Sequence, residues 1–168
     1  MKESKYQTIV HPLEPFYQKD SQILILGSFP SVKTREYGFF YGHPQNRFWP
    51  LMETIFDVNL SRDIEERKEF LKNFKIAMYD SIYQCDIIGS SDASIKNVRP
   101  SNLKDMIEHS EIKQVFCNGG ASHKYYKVYH EKELGIKAIK LPSTSPANAR
   151  YRLDDLLEEW KVIKTYIK

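Results

Sequence analysis

Cysteine is scarce, with only Cys85 and Cys117 among 168 residues. They lie far apart and match no metal-ligand spacing, so a disulfide scaffold and a cysteine-zinc site are excluded. Two free, buried thiols are expected instead. Long apolar runs are missing too. The longest, Ile-Leu-Ile-Leu at 23–26, is strand-sized, far short of the ~20 residues that span a bilayer. The opening segment MKESKYQTIV has no apolar signal core, which points away from secretion and towards the cytoplasm. No repeat, low-complexity tract or Gly/Ser-rich linker interrupts the chain, so one domain over residues 1–168 is expected. A strong excess of one charge is also absent. The net charge of +3 permits a nucleic-acid partner without demonstrating one. What is present is ordinary for a globular domain, 41% hydrophobic and 28% charged residues, which rules out long disorder. Aromatics are plentiful at 13%.

Apolar patterning and turn residues divide the chain into alternating elements. Residues 22–27 (QILILG) form a short apolar run closing on glycine, the pattern of a buried parallel strand. Residues 28–42, with Pro30, Gly38 and Gly42, have no clean period and read as a long loop. Helical periodicity follows over 46–56 and 63–74. A strand is expected at 76–82, then a polar loop over 86–100. A helix runs to His109, capped by Ser101 or Asn102. Strands at 115–117 and 136–141 flank a helix over 121–132. A loop over 142–150 leads to a terminal amphipathic helix. This alternation predicts a three-layer α/β/α sandwich around a central, mainly parallel four-stranded sheet. In such sheets ligands sit outside the carboxyl ends of the strands. The loops there are 28–46, 82–100, 118–123 and 142–150.

Two of these loops are dense in small, polar and proline residues: GSFPSVKTREYGFFYGHPQNRFW at 27–49 and LPSTSPANA at 141–149. Gly27, Ser28 and the run Ser143-Thr144-Ser145 could present N–H groups and hydroxyls to an anion, or simply form tight turns after strands. Lys33, Arg35, Arg47, Arg99 and Arg150 fall in or beside the ligand loops, suited to phosphate contact or to solvated surface. His123 and His130 lie seven apart on one helix face. Without a third ligand they make a poor zinc site, and solvent-exposed side chains are expected. No metal site emerges. Cys117 reads as a buried small side chain rather than a nucleophile.

Taken together and in this order, the motifs resemble those of the uracil-DNA glycosylase superfamily. A strand closing on G-x-x-P, an aromatic loop, HPQNRFW at 43–49 and a late S-x-S-P-x-N carry the resemblance. GSFPS at 27–31, STSPANA at 143–149 and residues 77–100 are most similar to the hypoxanthine-DNA glycosylase branch. The resemblance implies removal of a deaminated base from DNA without metal or cofactor, by a protein working as a monomer. It implies that Asn46 directs the hydrolytic water, although a helix cap is the alternative reading of Asn46. Its amide would accept a hydrogen bond from that water. Many superfamily members place an Asp or Asn where this chain has Phe29, whose side chain cannot bond water. The base site would comprise Gly27, Ser28, Phe29, Phe40, Tyr41 and Asp80. Tyr41 would stack on the flipped base, with Phe40 as the fallback, and Asp80 would read the base edge unless it is a solvated or capping residue. DNA contacts fall to His43, Ser143, Ser145, Ala147, Asn148 and Arg150. Ala147 stands where several relatives carry a leucine wedge, and it is too small to fill the gap left by a flipped nucleotide. Release of uracil, or lesion binding without turnover, are the other readings. A small-molecule phosphate binder is weakened by the lack of a glycine-rich fingerprint.

Overall fold

The computed structural model describes residues 5–168. Along the chain run β1 (Gln7–Val10), β2 (Ile23–Gly27), α1 (Val32–Tyr37), α2 (Phe48–Phe56), α3 (Ile64–Asn73), β3 (Ile76–Asp80), β4 (Ile82–Ile87), β5 (Lys96–Pro100), α4 (Leu103–Glu108), β6 (Gln114–Asn118), α5 (Gly120–Tyr129), α6 (Glu131–Leu134), β7 (Ile139–Leu141) and α7 (Leu153–Trp160). The strands make a four-stranded sheet in the order β3-β2-β6-β7 and a three-stranded sheet in the order β1-β4-β5. All pairings in the first are parallel. Helices flank it, so the α/β/α architecture is as the periodicity implies. β2 and β3 are buried along their whole length, which is why their sequences are unbroken apolar runs rather than alternating ones. The register pairs Gly27 with Asp80 and Asn118 with Leu141. The carboxyl ends of all four strands therefore line one edge.

The antiparallel sheet was not expected. The supposed strand over 76–82 ends at Asp80, and the chain turns at Ser81 into β4. The polar loop over 86–100 contains β5, and β1 pairs with β4 from the other side. β1 and β5 are short and mostly exposed, and β5 is rich in Lys, Asn and Arg. They lack the apolar alternation that marks a half-buried strand. The loop over 28–42 likewise contains α1, capped by Ser31 and ended by Gly38 at φ 90°, a conformation that favours glycine. α2 starts at Phe48 rather than Asn46. Asn102, not Ser101, caps α4. The helix over 121–132 breaks at His130, and the terminal helix tightens into a 3₁₀ turn after Trp160.

Ser81 is the corner between the sheets. It is buried, its N–H donates to Gly27 O, and its carbonyl accepts from Ser101 N and from His130 Nε2 at 2.8 Å. His130, expected on the surface, is therefore core. Burial holds its imidazole below the usual range, against the carbonyl bond and Glu133, which raise it. The folded state resists protonating His130 and the unfolded chain does not. The resulting stability is complete above the ordinary imidazole value, about 6.5, and is lost as pH falls below it towards the depressed folded value. The drop in thermal midpoint between pH 7.5 and 5.5 should therefore be smaller in His130→Gln than in the wild type. Equal drops would contradict this account.

Candidate active site at the carboxyl edge of the parallel sheet

The carboxyl ends of β2, β3 and β6, with the loops after β2 and β7, enclose a cavity of about 360 Å³. That is within the range of small-ligand sites, roughly 300–1,000 Å³. Among the expected residues, Gly27, Ser28, Phe29, Phe40, Tyr41, His43, Asn46, Asp80, Ser143, Ser145 and Ala147 all line it. Asn148 and Arg150 do not. Asn148 works inside the loop, where its Nδ2 donates to Ser143 O at 2.9 Å. Arg150 is exposed beyond the rim.

Both tryptophans anchor the walls. Trp49 Nε1 on α2 donates to Phe40 O, and Trp160 Nε1 on α7 donates to Pro142 O, each at 2.9 Å. Thr34 Oγ1 on α1 accepts from Gly42 N at 3.1 Å, which ties down the far end of the aromatic loop. Between these anchors Tyr41 adopts φ 54°, a left-handed conformation that costs a non-glycine residue about 1–2 kcal/mol. Its ring stacks on Phe48 at 4.5 Å between centroids. Its hydroxyl is buried without a protein hydrogen bond among the described residues. Burial, then the Asp80 charge, pushes that phenol far above its usual range, so it stays protonated.

Phe29 is buried against Ile82, Cys85 and Ile87. Phe29 thereby joins the antiparallel sheet to the cavity, which it also lines. At the same edge Gly27 leaves room that no side chain could share. A Cβ there would lie 2.3 Å from Asp80 Oδ1, closer than nonbonded atoms approach.

Asn46 lies in the cavity wall, two residues before the start of α2. Its Oδ1 accepts from the N–H of Phe48, the first residue of α2, at 2.9 Å, and from Thr144 Oγ1 at 2.8 Å; the N-cap itself is Arg47, which makes no side-chain cap bond. Thr144 Oγ1 in turn accepts from Asn118 Nδ2, while Asn118 Oδ1 accepts from Thr144 N, both at 3.0 Å. The direction of every bond in this chain is thereby fixed. Both Oδ1 lone pairs are taken, so the amide cannot accept from a water as expected. Its Nδ2, a donor, takes no protein partner among the described residues, and Asn46 lines the cavity. Asn118 was not among the expected site residues, and Thr144 was expected only to offer its N–H or hydroxyl to an anion, not to orient Asn46. A strand ending in Asn and the Thr within STSP were the only signals for them.

Arg47 is engaged with protein carbonyls rather than left to solvent. Its guanidinium donates to the carbonyls of Ser145 at 2.8 Å, Asn148 at 3.0 Å and Tyr151, and its Nε and backbone N–H to Thr144 O. One side chain thus holds the loop after β7 against the start of α2. Within that loop Ser145 N donates to Ser143 Oγ and Ala147 N to Ser145 Oγ. Among the described residues neither hydroxyl donates to a protein group, so both protons can meet an anion. His43 Nδ1 accepts from Gln45 N at 3.0 Å, which leaves its Nε2–H as a donor at the cavity wall.

Two acidic groups complete the site. Asp80 is buried, and its Oδ2 is bonded to His11 Nε2 at 2.7 Å. Asp92, another unexpected residue, accepts from Ser28 Oγ at 3.2 Å. Desolvation raises its carboxyl above the usual range, the Ser28 hydroxyl opposes this, and Asp80 adds to it. The thiols are inert. Burial pushes Cys117 up to about 12 and Cys85 up to about 11. Among the described residues no three His, Cys, Asp or Glu side chains converge as metal ligands, and no helix is long and apolar enough to cross a membrane.

The sequence profile of the uracil DNA glycosylase superfamily matches residues 14–166. A hypoxanthine DNA glycosylase of Methanosarcina barkeri is 34% identical over 143 residues, covering 81% of this chain and 86% of the relative. One from Methanosarcina acetivorans is 30% identical over 149 residues, covering 86% and 91%. A solution NMR structure of a Methanosarcina acetivorans protein, described provisionally as a uracil DNA glycosylase, superimposes with a TM-score of 0.78 at 26% identity, over 93% of this chain and 97% of that one. On this profile and these relatives, the chain belongs to the uracil DNA glycosylase superfamily.

Proposed function

We propose that this protein is a monofunctional DNA glycosylase that hydrolyses the N-glycosidic bond of a deaminated base, hypoxanthine above others. The observation that supports the reading is the Asn46 amide, whose Oδ1 is held by Phe48 N and Thr144 Oγ1 in the cavity wall and whose Nδ2 takes no protein partner among the described residues. The two relatives named above are called hypoxanthine DNA glycosylases, which supports the choice of base.

On this reading residues 1–168 act as one domain and a monomer on DNA in the cytoplasm. The damaged nucleotide leaves the stack, at a cost of a few kcal/mol that is smaller for a mispaired base. Tyr41, braced from behind by Phe48, stacks on it, with Phe40 beside. Asp80 and backbone groups of Gly27 and Ser28 read its edge. As the C1′–N9 bond breaks, its electron pair leaves with the purine and positive charge builds on the sugar. DNA phosphates stabilise that charge, and donors in the cavity stabilise the leaving base. Asn46 Nδ2 donates to one lone pair of a water whose other lone pair forms the new bond to C1′. The proton that water sheds balances the charge on the departing base. His43 Nε2–H and the hydroxyls of Ser143 and Ser145 contact the DNA backbone, with Arg150 outside them. Ala147, exposed at the rim, leaves the wedge role unfilled by its own side chain. The reading calls on no metal or cofactor, and no lysine is assigned to form a Schiff base with the sugar.

Oligonucleotides carrying deoxyinosine, deoxyxanthosine or deoxyuridine test this directly. Free hypoxanthine should appear fastest, with strand scission only after alkali. Faster uracil release would move the substrate within the superfamily. Tight lesion binding with no base released would overturn the enzyme reading.

A further inference from the structure

His11 lies 69 residues before Asp80 in the chain, yet the two side chains are bonded at 2.7 Å and both are buried. β1 delivers it: β1 pairs with β4, and His11 N–H donates to Tyr83 O at 2.6 Å. The imidazole is gripped by aromatic rings, Tyr79 at 4.5 Å, Phe29 at 5.8 Å and Phe40 at 6.3 Å between centroids. Its Nδ1 accepts from Leu13 N at 3.1 Å. That bond requires a lone pair on Nδ1, so the proton sits on Nε2 and points at Asp80 Oδ2. The other carboxylate oxygen, Oδ1, lies against Gly27 at the cavity floor. Among the described residues it takes no side-chain hydrogen bond.

We infer that His11 is a specificity-determining positioning residue, which holds Asp80 so that Oδ1 faces the base solely as an acceptor and selects a ring N–H next to a carbonyl. The inference rests on the glycosylase reading above and names what the pocket reads. Deamination of adenine turns the N1 lone pair into N1–H beside O6, and deamination of cytosine turns the N3 lone pair into N3–H beside O4. An acceptor fixed at that place bonds the deaminated base and faces the parent base lone pair to lone pair. An unmatched buried polar pair of this kind weakens binding by roughly 5- to 150-fold, enough to discriminate. Deaminated adenine and cytosine share this feature, which makes the class of substrate wider than one base. The Nε2–H of His11 fixes the plane of the carboxylate, and so where its second oxygen points.

The test is binding to duplexes carrying 2′-fluoro-deoxyinosine or 2′-fluoro-deoxyadenosine, which resist cleavage, opposite an abasic analogue so that neither base has a pairing partner to lose. His11→Phe keeps the ring packing and removes the N–H. It should lower the inosine-over-adenosine preference at least tenfold, and His11→Gln, which can still donate to Asp80, should recover most of it. Asp80→Asn sharpens the test. With His11 in place the new amide must turn its oxygen to His11 and its NH₂ to the cavity, so the preference should vanish or invert towards adenosine. Adding His11→Phe then frees the amide to flip, and the preference for inosine should recover threefold or more. A purely structural His11 would only make the double variant worse. Unchanged preference in His11→Phe, or no recovery in the double variant, would overturn the inference. A wild type that does not prefer inosine would instead overturn the glycosylase reading itself.

Discussion

Replacing Asn46 with alanine should slow single-turnover release of hypoxanthine by about 10³-fold, in the range seen when one positioned polar group is removed from a reacting site. Affinity for uncleavable inosine DNA should change by less than about threefold, since the loss falls on the step and not on ground-state binding. The substitution also removes the acceptor for Phe48 N–H and for Thr144 Oγ1–H. Loss of such a hydrogen bond costs about 1 kcal/mol, which lowers the melting temperature by a few degrees without emptying the folded state. Asn46→Asp separates the two roles. It keeps an oxygen for Phe48 and Thr144 and loses the Nδ2 donor. Near-normal stability with activity still about 10²-fold down is expected if Nδ2 holds the water. Full activity in Asn46→Asp would show that an oxygen at this position suffices, and would return the water to an acceptor.

The second large effect is expected at Arg47. Removing its side chain strips donors from the carbonyls of Thr144, Ser145, Asn148 and Tyr151 at once. Hydrogen bonds from a charged group each contribute about 1.5–3 kcal/mol. They share one side chain and are not additive, so a loss of about 3 kcal/mol in unfolding free energy is expected for Arg47→Ala. The same loop carries Thr144, which orients Asn46, and a displacement of about 1 Å at a reacting centre costs about 10²-fold in rate. Arg47→Lys should not rescue. A single ammonium cannot reach carbonyls spread around a planar fork. Chemical denaturation with parallel base-release kinetics checks both parts. A stable Arg47→Ala with weakened, salt-sensitive DNA binding would show that Arg47 is a phosphate contact after all.

The parallel sheet was legible because β2 and β3 are buried on both faces, so their apolar runs are continuous. The antiparallel sheet was not, because Lys96–Pro100 and Gln7–Val10 are exposed edge strands whose stability comes from pairing with β4. Pairing partners distant in the chain leave no local pattern. The site divides in the same way. Asn46, Tyr41 and the serines of STSP lie inside motifs, and the structure brings all of them to one cavity. His11, Asn118 and Thr144 act through side-chain bonds spanning 26 to 98 residues of chain, and no spacing announces these. Arg47 and His130 were misjudged for one reason. A charged or titratable side chain near a loop reads as surface until the carbonyls it serves are known.

The most direct measurement is single-turnover release of free hypoxanthine from a deoxyinosine duplex by the wild type and Asn46→Ala side by side, with enzyme in excess. The account predicts rapid release by the wild type and release about 10³-fold slower by the variant at equal occupancy of DNA. Equal rates for the two proteins, or no release by either while both bind the lesion, would contradict it.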